Sequence, residues 1–317
     1  MNTSNYFSVA SGVWGMKDIF VNIYMVQNLE NKNWVLVDTG LKSSAKKIKK
    51  MAAELFGAGR KPKAIILTHG HFDHSSSVAE LANYWHVPVY AHYLELPYLT
   101  GKSAYPPPDA TVGGGLMATM AFLYPNKPAH LEDYVAALPE DHTVPGLKGW
   151  QYIETPGHAP GHISLFREED KVLIAGDAFV TTKQESALAV LLQTKKISGP
   201  PSYFTYDWNA ADESVKKLLL LAPEFVATGH GRPMYGKEMR KELHNLHDHF
   251  NEMAVPSKGR YVNEPAVADV NGVLYIPPAP KNSFRPFLFA ASAIALTTAF
   301  ILLNEKRKNK RRSFGLL

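Results

Sequence analysis

The sequence predicts a layered α/β protein. Three observations carry that expectation: short apolar β-branched runs, helical stripes spaced between them, and glycine-flanked polar residues where the runs end. The chain has 317 residues, 45% of them hydrophobic and 20% charged, the balance of a protein that buries an ordinary core.

Strands are expected at 20–26, 34–37, 64–67, 87–91, 163–167, 171–175 and 224–227. Several are unbroken apolar runs, as strands covered on both faces require. Helices are expected where apolar residues recur at helical spacing. One carries Ala45, Ile48, Ala52 and Leu55 and stops at Gly57; the next carries Val78, Leu81, Ala82 and Trp85. A third runs from Asn209, read as the N-cap, through Val215 and Leu218 to Pro223. A fourth places Met239, Leu243, Leu246 and Phe250 on one stripe.

Residues 97–149 interrupt this alternation with Tyr105-Pro106-Pro107-Pro108, Gly113-Gly114-Gly115 and an apolar stretch at 116–123. The segment reads as a functional loop or lid, or else as a surface excursion. A catalytic domain is thus expected over 1–250, followed by a Pro-containing linker at 251–285.

The linker leads into seventeen uncharged residues, Phe287 to Leu303. As a helix they would span ~25 Å, close to the ~30 Å hydrocarbon core of a bilayer. A C-terminal transmembrane helix at 286–303 is expected, ahead of a basic tail at 304–317. Ser292, Thr297 and Thr298 keep open an apolar helix docked on the domain. No basic, then apolar, signal peptide begins the chain, which favours a cytoplasmic domain tethered by its tail; the positive-inside tendency points the other way.

The net charge of +5 resides in that tail, where Lys306, Arg307, Lys308, Lys310, Arg311 and Arg312 face only Glu305. The body is formally neutral, which argues against a nucleic-acid partner. There is no cysteine, so disulfides, thiolate ligands and a cysteine nucleophile are excluded.

The run His69-Gly70-His71-Phe72-Asp73-His74 follows an apolar strand and precedes a helix. Packing four such side chains would leave each needing a buried partner. As ligands they need none, and neutral imidazole with carboxylate suits Zn²⁺. His158 in Pro156-Gly157-His158, Asp177 in Gly176-Asp177 and His230 in Gly229-His230-Gly231 each lie beside glycine at a strand end. Catalytic groups of α/β folds gather there.

These motifs, with Thr155-Pro156-Gly157-His158-Ala159-Pro160-Gly161-His162 and Val37-Asp38-Thr39-Gly40, resemble the metallo-β-lactamase superfamily over residues 20 to 235. The resemblance implies an αββα sandwich with the metals at one edge. It implies that His69, His71 and His158 hold one metal, that Asp73, His74 and His230 hold the second, and that Asp177 bridges them. Asp38 and His162 match positions that orient ligands through hydrogen bonds. The cofactors implied are two zinc ions, with iron or manganese as alternatives.

The expected reaction is hydrolysis by a hydroxide shared between the metals, with Asp73 carrying a proton and Asp177 bridging. Without cysteine, resemblance to zinc β-lactamases with a cysteine ligand fails. The glutathione-binding basic residues of glyoxalase II find no match in 231–285, and Asp177 lacks the following tyrosine of the acyl-homoserine lactonases. A small, partly apolar ester, thioester or lactone remains, contacted by Phe179, Tyr203 and Tyr206. The alternatives are a single-iron dioxygenase resembling persulfide dioxygenases and a membrane-tethered metal-binding module without catalysis.

Overall fold

The computed structural model describes residues 6–280. Seven strands form the first sheet in chain order: β1 (Tyr6–Ala10), β2 (Val13–Asp18), β3 (Val21–Gln27), β4 (Trp34–Val37), β5 (Ile65–Ile66), β6 (Val89–Ala91) and β7 (Val135–Ala137). The second sheet holds β8 (Thr143–Val144), β9 (Leu147–Glu154), β10 (Ile163–Arg167), β11 (Val172–Ile174), β12 (Phe225–Ala227) and β13 (Met234–Tyr235), also in sequential order.

Side-chain alternation along the strands sorts the core into three layers. On β3 and β4, Ile23, Met25, Trp34 and Leu36 point outward and meet helices Ala45–Phe56 and Val78–Trp85. Their neighbours Tyr24, Val26, Val35 and Val37 point the other way, against Ile163, Leu165, Val172 and Ile174 of the second sheet. Phe166, Leu173 and Val226 then cover helices Trp208–Leu220 and Gly236–Asp248. The result is helix, sheet, sheet, helix. Each fully buried Leu, Ile or Val side chain contributes about 1.5–3 kcal/mol, so the two-sided strands are the heaviest stabilising element.

Several expected elements shift. The Trp208–Leu220 helix is capped by Asp207, whose carboxylate accepts from the Ala210 N–H at 3.0 Å; Asn209 lies inside its first turn. The β1–β2 hairpin is an addition, turning at Gly12, whose φ of 71° favours glycine. Part of the expected 251–285 linker is folded: Val267–Asp269 and Gly272–Tyr275 form a hairpin, here β14 and β15. Its Val273 N–H donates to Ser103 Oγ at 3.1 Å, and the Ala266 N–H to the Tyr206 carbonyl at 3.0 Å. Among the described residues no helix is long and apolar enough to cross a membrane; the expected span at 286–303 lies outside them.

The C-terminal ends of β5, β9, β11 and β12 open at one edge of the sandwich. Backbone hydrogen bonds tie their loops together. Ile163 N–H donates to Thr68 O at 2.9 Å and Gly229 N–H to Gly176 O at 2.8 Å. Asn22 on β3 clamps the last loop: its amide donates to Thr228 O and Gly231 O at 2.9 and 2.7 Å, and its N–H to Gly229 O.

Candidate metal centre

Asp38 ends β4 with φ at 61°, a left-handed conformation that is uncommon outside glycine. Three donors hold it there. Its Oδ1 accepts from the Thr68 N–H, and its Oδ2 from Thr68 Oγ1 and His74 Nδ1, all at 2.8 Å. The strained carboxylate thereby fixes both ends of the 69–74 loop.

His69, His74 and His230 each have Nδ1 occupied and Nε2 turned inward. His74 Nδ1 is on Asp38, His230 Nδ1 donates to the Phe20 carbonyl at 2.7 Å, and His69 Nδ1 donates to Thr68 Oγ1 at 3.1 Å. The inward nitrogens converge. His230 Nε2, His158 Nε2 and His74 Nε2 lie 3.0, 3.5 and 3.6 Å from one oxygen of Asp177. His71 Nδ1 faces His158 Nε2 at 3.0 Å, while Asp73 Oδ2 lies 3.6 Å from His230 Nε2. All seven are buried.

Asp177 is itself positioned by His162, whose Nε2 accepts from the Asp177 N–H at 2.8 Å while Nδ1 donates to Thr155 Oγ1 at 2.8 Å. Gly229 is required by close approach, since a Cβ there would strike Asp177 Oδ1 and sit 2.8 Å from His74 Cε1.

The donors fit metal ions. Ligand atoms of His69, His71 and His158 lie within 4.8 Å of one another, as do those of Asp73, His74 and His230, and those of His69, His74 and Asp177. His69 Nε2, His74 Nε2 and Asp177 Oδ1 are buried without a hydrogen-bond partner, a costly arrangement unless a cation takes them up. Burial pushes the pKa of His69 and His71 well down and that of His158 to about 3, so these rings stay neutral, the form that ligates. Burial opposes charge on His74 and His230 too, but Asp177 and the other carboxylates overcome it and raise both. Burial likewise works against the Asp177 anion, yet His230 and His74 hold its pKa well below the usual range.

An aromatic wall encloses the His71 side. Phe204 stacks on His71 at 4.5 Å between centroids, the Tyr105 ring sits at 4.5 Å, and Tyr206 Oη lies 3.3 Å from His71 Nε2. Tyr203 lies in the same wall, against Tyr124 and Phe204. Phe179 does not: it is fully buried in the layer beneath the Trp208–Leu220 helix, with Leu173 and Trp208. Its expected substrate contact is therefore corrected to a core role, because the chain turns it away after Asp177.

Glu95 and Tyr105 are not among the expected site residues. Glu95 is fully buried and accepts from the Gly70 N–H at 2.8 Å, the Gly161 N–H at 2.7 Å and the Tyr105 hydroxyl. It thus joins the loop of His69 and His71 to the loop of His158 and His162. The one available signal was its place in Leu94-Glu95-Leu96, a lone carboxylate between leucines.

Histidines and aspartates arranged this way at the edge of an αββα sandwich define a class, the metal-dependent hydrolases. Within it the chain belongs to the metallo-β-lactamase superfamily, whose family model matches residues 16–230. A probable metallo-hydrolase of Bacillus subtilis, YflN, is 47% identical over 241 residues, covering 76% of this chain and 91% of its own. The hydroxyacylglutathione hydrolase GloC of Haemophilus influenzae is 27% identical over 148 residues, covering 47% of this chain and 62% of its own. A β-lactamase domain protein from Burkholderia ambifaria shares the fold, with a TM-score of 0.54 at 20% identity, covering 78% of this chain and 77% of that one.

Proposed function

We propose that the chain hydrolyses a small, partly apolar ester, thioester or lactone using two divalent ions, zinc first among them. One observation carries this reading: a single carboxylate, Asp177, stands between two clusters of three ligand side chains each. His69, His71 and His158 would hold one ion and Asp73, His74 and His230 the other, with Asp177 shared. Bound there, such ions lower the pKa of water and polarise the electrophile.

The protein supplies the rest. Hydrolysis adds the oxygen of water to the acyl carbon, breaks the C–O or C–S bond and leaves a proton on the departing atom. Asp73 would carry that proton. Phe204, Tyr105 and Tyr206 exclude water beside His71 and offer an apolar acyl group a flat surface. GloC, named for hydrolysing hydroxyacylglutathione, keeps acyl transfer to water as the reaction class.

Metal quantification on protein purified without added metal, followed by a screen of thioesters, lactones, aryl esters and phosphodiesters, tests the proposal. Two ions per chain with ester or thioester turnover is expected, and Asp177→Ala removes turnover and one ion together. One iron per chain with oxygen consumption replaces the hydrolase reading with a dioxygenase.

A further inference from the structure

The aromatic wall has an outer rim built by three short segments. Helix Leu116–Thr119 with the turn Ala121–Leu123 forms the first, helix Ala187–Leu192 the second, and the β14–β15 hairpin with Ile276 the third. The first two are joined by the Met117 N–H donating to Glu185 O at 3.0 Å, and the hairpin docks on Ser103 and Tyr206.

Each segment turns large apolar side chains to water. Leu188, Leu191 and Leu192 are 64, 76 and 63% exposed, Leu123 is 54%, and Val270 and Leu274 are 60 and 63%. Among the described residues, ten of the sixteen exposed large hydrophobic side chains lie on these three segments. Scattered singly, such residues need no explanation; concentrated on these three segments they mark a surface that something covers. Helix Ala187–Leu192 makes the point alone, since Val190 is its one buried side chain.

The chain beyond the hairpin identifies the cover. It leaves through Ile276-Pro277-Pro278-Ala279-Pro280, and the uncharged stretch begins at Phe287. From Tyr275, the last residue of β15, to Phe287 is twelve residues, a reach of at most ~40 Å even fully extended. Wherever 287–303 resides, the hairpin is tethered within that reach of it. An uncharged stretch followed by six basic residues against one acid matches hydrocarbon followed by anionic headgroups. A second copy of the chain would cover the leucines but would leave that pairing without a purpose.

We infer that the rim is a membrane-docking surface, seated on a phospholipid bilayer with anionic headgroups, and that the metal centre takes its acyl ester or thioester from the lipid phase. The choice of substrate rests on the hydrolase reading; the docking does not.

Because the chain has no cysteine, single labels can be placed without background. Full-length Leu191→Cys, Leu274→Cys and, as a control on helix Trp208–Leu220, Leu220→Cys are labelled with a polarity-sensitive dye. Vesicles of phosphatidylcholine and phosphatidylglycerol are then added. Labels at 191 and 274 shift to the blue and are quenched by acyl-brominated lipid, while the label at 220 is unmoved. Three labels behaving alike would overturn docking, as would shielding at 191 and 274 that rises with protein concentration in the absence of vesicles, the mark of a second copy. Separately, Leu188→Ser/Leu191→Ser loses about tenfold on a long-chain acyl thioester held in vesicles and nothing on a short, water-soluble one. Equal losses, or none, overturn the lipid-phase substrate. Inactivity of the unaltered protein on both thioesters overturns the hydrolase reading and leaves the label result standing.

Discussion

The buried carboxylate of Glu95 accepts a hydrogen bond from the Gly161 N–H at 2.7 Å, across 66 residues of sequence. Its other oxygen takes the Gly70 N–H. One side chain therefore sets the separation of the loops that carry His71 and His158. Glu95→Ala should weaken metal binding about 10–100-fold, the usual cost of losing a group that orients ligands. Glu95→Gln, keeping one acceptor but turning an N–H toward the second amide, should fall between. Chelator competition measures this, and unchanged affinity in the alanine variant rejects the role.

Asp38→Asn separates the two halves of the centre. Asp38 Oδ2 holds His74 Nδ1, whereas His71 and His158 do not touch it. The amide cannot accept from all three donors, so the half built on His74 should loosen first. Metal content is expected to fall from two ions per chain toward one. Equal loss of both ions speaks against independent halves.

The metal-free protein should lose stability as pH falls below about 6.5. Burial lowers the pKa of His158 to about 3 and that of His162 to about 4, from 6.5 in the unfolded chain. Between those values the unfolded rings take up protons and the folded ones do not, costing up to ~1.4 kcal/mol per pH unit for each. His74 and His230 are raised, so their contribution is complete below 6.5. Asp73 and Glu95, raised by burial, take up protons in the folded state first and offset part of the loss at the acid end of the range. Asp177 is lowered, and its contribution declines only below about 3.8. Urea titrations of chelated protein between about pH 7 and 4.5 check the slope, and a flat profile contradicts it.

Phe179→Ala should cost about 3–5 kcal/mol of stability, the range for emptying a buried aromatic site. Its KM should stay unchanged, because the ring lies beneath the Trp208–Leu220 helix rather than in the wall around His71. Denaturant unfolding with parallel kinetics decides the matter; a raised KM at unchanged stability returns Phe179 to the substrate.

The layers were legible because strands covered on both faces, such as Val35 to Val37 and Val172 to Ile174, read as unbroken apolar runs. The ligand loops were legible for a related reason: clustered histidine and aspartate beside glycine have few uses in packing. Hairpin β1–β2 was not, because Ser8, Trp14 and Lys17 break any clean alternation. Nor was β14–β15, whose exposed Val270 and Leu274 carry no periodic signal. Glu95 escaped because a carboxylate satisfied by backbone N–H groups leaves no trace in charge patterning. Phe179 misled by proximity: two residues after Asp177, the backbone has already turned into the core.

The clamp of Asn22 on the Gly229–Gly231 loop spans 209 residues. A chain emerging from the ribosome therefore displays His69, His71 and Asp73 long before the strand that completes their surroundings exists. Until residue 231 is free, those side chains face water as a loose, partial chelate. Ion capture is thus expected to be a late event, coupled to the docking of β12 and not to the first appearance of the ligands.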